Sequence, residues 1–234
     1  MQRQRANHHI ALIGCMCLAL LAYTGWTEQQ HDPVPAAPAA QAPADRIDFT
    51  SPESLTVIVN KHHPLDAAYI PPDLTDAGGV LLRLAAADSF RAMVSAAAAE
   101  GIAITAVSGY RPASEQAHIH DSYTSAYGAP AADLLSARPG YSEHQTGLAV
   151  DIGNPSGECA LNACFASTPA GAWTAANAHR FGFIIRYPAG TEAVTGYMYE
   201  PWHLRYTGLE AAAAIHGSGT TLEQYAGTPA APGY

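Results

Sequence analysis

Charge is scarce in this chain. Only 13% of its residues are Asp, Glu, Lys or Arg, and the 11 Lys and Arg are outnumbered by 20 Asp and Glu, for a formal net charge of −9. It has no long basic run, which argues against a nucleic-acid partner, since that partner needs a positive footprint. An anionic polymeric substrate stays open, because a site can be basic locally. Long apolar runs are equally few: one lies near the N-terminus and no second one follows. Cysteine is rarer still, with 4 residues, and only Cys159 and Cys164 lie outside that first apolar run. There are no internal repeats.

What is present divides the chain into four stretches. In residues 1–26, Arg3 and Arg5 precede an apolar run from Ile10 to Trp26, broken mainly by Gly14, Thr24 and Gly25. This reads as a signal peptide or an uncleaved signal anchor. At about 17 residues the run sits at the lower edge of a membrane span. Leu12-Ile13-Gly14-Cys15 looks like a lipobox, but little apolar core precedes Cys15 and the run continues past it, so a signal or anchor is favoured. Residues 27–47 alternate Pro and Ala with almost no large apolar side chains, as a semi-extended linker does. Residues 48–226 form one folded domain, and residues 227–234 read as a loose tail. The protein is expected outside the cytoplasm, as a monomer that touches membrane only through its N-terminal segment. There, Cys159 and Cys164 can close a small disulfide loop. A thiolate metal site would need two further soft ligands that this stretch does not offer.

Helical and extended patterns mix without a repeating βαβ rhythm, which predicts an α+β fold with a small antiparallel sheet. Helices are expected over 79–100, 114–127, 168–181 and 209–216, and strands over 102–107, 148–153, 183–187 and 202–206, with a strand or extended run at 55–59.

Two blocks carry chemistry. Ser142-Glu143-His144-Gln145-Thr146-Gly147 leads to Asp151, and Glu200-Pro201-Trp202-His203 follows later. Two His and one Asp make three protein ligands, the number that catalytic zinc sites use while leaving one position to water. Strand alternation puts Leu148, Val150 and Ile152 on one face and Asp151 on the other; Trp202, Leu204 and Tyr206 likewise oppose His203. If the strands are neighbours, Asp151 and His203 project from the same open face, with His144 folding over from the entering loop. Glu200 is left as a candidate general base. A regular strand would point Glu200 away from His203, so a bulge at Pro201 is a requirement of this reading. Arg111 is the candidate cation for the tetrahedral intermediate, or equally a clamp for a substrate carboxylate. His62, His63, His118, His120, His179 and His216 read as structural or solvated.

Taken together, Val59-Asn60-Lys61, Ser108-Gly109-Tyr110-Arg111-Pro112 with Gln116, Ser136-Ala137-Arg138-Pro139-Gly140, the Ser142 to Asp151 block, Arg186-Tyr187-Pro188 and Glu200 to Tyr206 resemble the VanY-type D-alanyl-D-alanine carboxypeptidases, zinc enzymes of the bacterial cell wall. The likeness runs in order from about Leu55 to Gly208. It implies a Hedgehog/DD-peptidase-like α+β domain whose antiparallel sheet carries Zn2+ on His144, Asp151 and His203, with Glu200 as base and Arg111 stabilising the intermediate. It further implies substrate contacts at Ser108, Gln116, Ser136 and Ser142, and a peptidoglycan stem peptide as substrate. Hydrolysis of the terminal D-Ala is the expected activity. L,D-carboxypeptidase or D,D-dipeptidase action is the alternative, and a non-catalytic wall-binding module the third. Cys159 to Cys164 departs from the family pattern.

Overall fold

The computed structural model describes residues 47–234, so the expected signal or anchor and nearly all of the linker lie outside the described residues. Among the described residues no helix is long and apolar enough to cross a membrane.

In chain order the elements are β1 (Leu74–Asp76), β2 (Leu81–Arg83), α1 (Leu84–Ala99), β3 (Thr105–Ser108), α2 (Ala113–Tyr127), α3 (Ala129–Leu135), β4 (Ala149–Gly153), α4 (Pro169–Asn177), β5 (Phe183–Ile185), α5 (Glu192–Thr195), β6 (His203–Tyr206), α6 (Leu209–Ser218) and α7 (Leu222–Ala226). β1 and β2 form an antiparallel hairpin, and the other four strands form one antiparallel sheet in the order β3-β4-β6-β5. This is the expected α+β fold.

One face of the larger sheet is apolar. Val150, Ile152, Phe183, Leu204 and Tyr206 pack there with Phe90 and Met93 of α1, all buried. The Phe183 ring lies edge-on to Phe90 at 6.3 Å and to Tyr206 at 5.2 Å. A second cluster joins Ile184 to Ile58, Ala212, Ile215 and Leu222. Leaving one such residue out of a packed core costs about 2–5 kcal/mol, so these contacts fix the strand register that the site depends on.

Several elements differ from the sequence expectation. The helix expected from Gly79 begins at Leu84, because the Asp76 carboxylate accepts from the N–H groups of Gly78 and Gly79, both at positive φ, and closes the β1–β2 turn. Positive φ is incompatible with a right-handed helix. Residues 57–59 are buried but join no ladder; the carbonyls of Leu55 and Val57 accept instead from Arg205 Nη2, at 3.1 and 2.8 Å. The helix expected over 168–181 is α4, N-capped by the Thr168 hydroxyl, followed by a tight 3-10 turn at Ala178–Phe181.

The loose tail expected at 227–234 is instead docked. Ala231 is fully buried and its N–H donates to Val194 O, while the Tyr234 hydroxyl accepts from Arg138 N–H at 2.7 Å and its ring meets Tyr141 edge-on. Aromatic rings and a complementary backbone partner supply the burial that the Pro/Ala composition does not.

Candidate metal centre and active site

Register brings the two blocks together. On the antiparallel β4–β6 pair, Asp151 and His203 are direct cross-strand partners, so both side chains leave the sheet on the face away from the core. His144 sits in a 3-10 turn at Glu143–Thr146 just before β4. That turn ends at Gly147 (φ +66), where a Cβ would fall 2.9 Å from Leu74 and 3.0 Å from Arg83 Cγ. Glycine is required there, and it lets the turn press against the β1–β2 hairpin.

His144, Asp151 and His203 are buried, and one ligand atom from each lies within 4.8 Å of the others. His144 Nε2 is 3.2 Å from Asp151 Oδ2, and His203 Nδ1 is 2.9 Å from Asp151 Oδ1. The remaining ring nitrogens face away from this point. His144 Nδ1 lies 2.7 Å from Gly109 O, and His203 Nε2 faces Glu143 Oε2 at 3.5 Å. Each imidazole is thus braced on one nitrogen and free to ligate with the other, as in metal centres whose histidines are oriented by a carbonyl or carboxylate.

The charges fit a cation. Burial pushes the Asp151 carboxyl up, yet His144 and His203 hold it far below the ordinary carboxylate range. Burial would lower His203, but the hydrogen bond to Asp151 and the neighbouring Glu143 carboxylate raise it to about 10. The pocket therefore draws positive charge to a point between two nitrogens and a carboxylate, a donor set suited to zinc.

Glu200 reaches this point by a turn rather than the expected bulge. His203 N–H donates to Glu200 O at 3.1 Å across Pro201 and Trp202, an i to i+3 closure in which Pro201 pre-sets the backbone. Glu200 Oε2 ends 3.8 Å from His203 Nδ1, and no described residue hydrogen-bonds its carboxylate. Burial raises this carboxyl to about 7, aided by Asp151 and opposed by His203 and Arg111. An acid balanced there can accept and return a proton near neutral pH.

Arg111 lines the same pocket, a cavity of about 300 Å³. Its backbone N–H donates to His144 O and its Nε donates to Gln116 Oε1 at 2.8 Å. Gln116 in turn donates from Nε2 to Ser136 Oγ and Ala137 O. Gln116 thus orients Arg111 and Ser136 as well as lining the pocket. Ser136 and Ser142 are pocket-lining and buried. Ser108 is the register partner of Asp151 on β3, past an irregularity at Ala106–Ser108, and is absent from the lining.

Sequence reasoning passed over Glu143. It is fully enclosed and accepts from Arg186 Nε at 2.7 Å and Arg205 Nη1 at 2.6 Å; Arg186 also forks onto Glu223 of α7. The signal was its place beside His144 together with Arg205 on β6 and Arg186 just past β5. Cys159 and Cys164 are joined in a disulfide, Cα–Cα 5.5 Å. Of the histidines read as structural or solvated, His120 pairs with Asp133 and His179 stacks on His216 at 3.7 Å.

Comparison with known proteins gives the same direction. Residues 79–209 match the family model for VanY, D-alanyl-D-alanine carboxypeptidase. The putative carboxypeptidase YodJ of Bacillus subtilis is 43% identical over 185 residues, 75% of this chain and 68% of that protein. Among solved structures, the LdcB LD-carboxypeptidase superposes with a TM-score of 0.71 at 42% identity, covering 76% of this chain and 88% of that one. A mutant of the vancomycin resistance D,D-pentapeptidase VanY, from a VanB-type resistance cassette and in complex with Zn(II), does so at 0.64 and 35%, covering 73% and 98%. This chain belongs to the VanY family of D-alanyl-D-alanine carboxypeptidases.

Proposed function

We propose that the protein is a zinc-dependent carboxypeptidase that releases the terminal D-Ala of peptidoglycan stem peptides outside the cytoplasm. The observation that carries this is the convergence of His144, Asp151 and His203 on one point, with the Glu200 carboxylate, hydrogen-bonded to no described residue, 3.8 Å from His203. These three residues would hold zinc, which supplies an acidified water and polarises the scissile carbonyl. Glu200 would accept a proton from the water that attacks the carbonyl carbon. It then passes the proton to the amine nitrogen as the C–N bond breaks. Arg111, fixed by Gln116, balances negative charge on the carbonyl oxygen or holds the substrate carboxylate. Ser136 and Ser142 offer hydroxyls to the peptide from the pocket wall.

The leading substrate is a pentapeptide ending in D-Ala-D-Ala. A second reading, L,D-cleavage of the tetrapeptide, is favoured by the likeness to LdcB. Mass spectrometry of defined pentapeptide and tetrapeptide stems after incubation with the zinc-loaded protein tests both. Loss of one D-Ala from the pentapeptide, abolished by chelator, is expected. Release from the tetrapeptide alone selects the second reading, and release from neither overturns the assignment.

A further inference from the structure

The pocket that holds the candidate metal point has a polar floor and an apolar mouth. Its charged side chains, Arg111, Glu143, Asp151 and Glu200, are buried or half-buried. At the mouth stand Leu161, Met198, Leu135 and Tyr123, which are 48%, 42%, 38% and 36% exposed, with Ile119 half-buried beside them. Large apolar side chains left this open and gathered on one pocket mark a surface built to be covered.

Leu161 is held there by an unusual device. It lies inside the Cys159–Cys164 disulfide loop, and both Cys159 (φ 55) and Leu161 (φ 49) adopt the left-handed conformation that non-glycine residues avoid. The loop is fixed at both ends: Cys159 packs against the core and Phe165 is fully buried. Asn162 ties it internally, donating its N–H to Cys159 O and accepting the N–H groups of Phe165 and Cys164 on its carbonyl and side-chain oxygens. Between these anchors Leu161 lines the pocket and stays exposed.

We propose that Leu161 is a specificity-determining residue, presented by the disulfide loop to the part of the substrate that lies upstream of the cleaved bond. This rests on the carboxypeptidase reading above. An enzyme that removes a terminal residue takes that terminus to the floor, so the mouth meets the residue or residues before it. A mouth lined by aliphatic and aromatic groups without a charge suits an upstream side chain with a long methylene stem, whose polar end projects past the lip into water.

The test uses the full zinc-loaded chain in a Glu200→Gln background, which slows turnover by about 10²- to 10⁴-fold. Calorimetry gives the affinity for two peptides ending in D-alanine, identical except that the residue upstream of the D-alanine portion is Nε-acetyl-lysine in one and glycine in the other. The acetyl-lysine peptide should bind about 3- to 10-fold more tightly, the scale of a partly covered apolar contact. Leu161→Asn keeps a residue that tolerates positive φ but removes the apolar contact, and should bring the ratio to about 1–2. Leu161→Met should restore it, and Cys159→Ser/Cys164→Ser should lower it as Leu161→Asn does. An unchanged ratio in Leu161→Asn overturns the inference. Because the readout is binding, it stands or falls separately from hydrolysis: loss of the ratio in Leu161→Asn, in a protein that cleaves no stem peptide, would sink the carboxypeptidase reading and leave the apolar lip in place.

Discussion

Glu143 Oε2 faces His203 Nε2 at 3.5 Å while its other oxygen accepts from Arg186 and Arg205. One carboxylate thus braces a candidate metal ligand and pairs with two enclosed guanidinium groups, one of which also pairs with Glu223. Glu143→Gln should weaken zinc binding by roughly 10- to 100-fold, the usual cost of losing such an orienting partner. It should also lower stability by about 3–5 kcal/mol, because the arginines stay buried with less compensation. Chelator competition and urea unfolding read the two effects. Wild-type zinc affinity in a folded variant would remove the orienting role.

Glu200→Gln keeps the shape of the side chain and removes its proton-accepting oxygen. The zinc-loaded variant should lose about 10²- to 10⁴-fold in kcat, the range for a general base, with zinc affinity close to that of the wild type. A variant that hydrolyses stem peptides at the wild-type rate would show that the base lies elsewhere.

Acid should weaken the Arg186 network through Glu223. Burial pushes this carboxyl up, but Arg186, with Asn60, holds it below its ordinary value. A carboxyl depressed in the folded state stabilises above its unfolded value, about 4.3, and loses that contribution as pH falls through its folded value. Glu223→Gln should therefore be less stable than the wild type at pH 7, and the gap should close toward low pH. Urea midpoints taken between pH 7 and pH 3 give the trend; a gap that widens on acidification contradicts it.

Zinc should stabilise the fold by mass action. At a free concentration a hundredfold above Kd the gain is about 2.7 kcal/mol, read as a higher melting temperature that chelator reverses. His203→Ala should abolish that zinc-dependent rise.

The large elements were legible because they follow simple periods. α1, α2, β4 and β6 fall where apolar spacing puts them, apart from their ends, and alternation alone set Asp151 and His203 on the face opposite the core. The β1–β2 hairpin was missed because Val80 and Leu81 fit the apolar period of the helix that follows, and it is the Asp76 carboxylate that bends the chain there. The route of Glu200 to the site was foreseen as a need but not as a turn, since Pro201 suits both. Glu143 escaped notice because its role depends on Arg186 and Arg205, 43 and 62 positions away, meeting over it. The docking of Tyr234 on Tyr141 and Arg138 has the same origin: a contact made by tertiary approach leaves no local pattern.

The cross-strand pairing of Asp151 with His203 has one more consequence. Their approach is set by backbone hydrogen bonds and an apolar core on the opposite face, neither of which involves an ion. Stripping the metal should leave an idle but intact molecule that recovers on simple re-addition, so that loading becomes a reversible on–off control rather than a step in reaching the native shape.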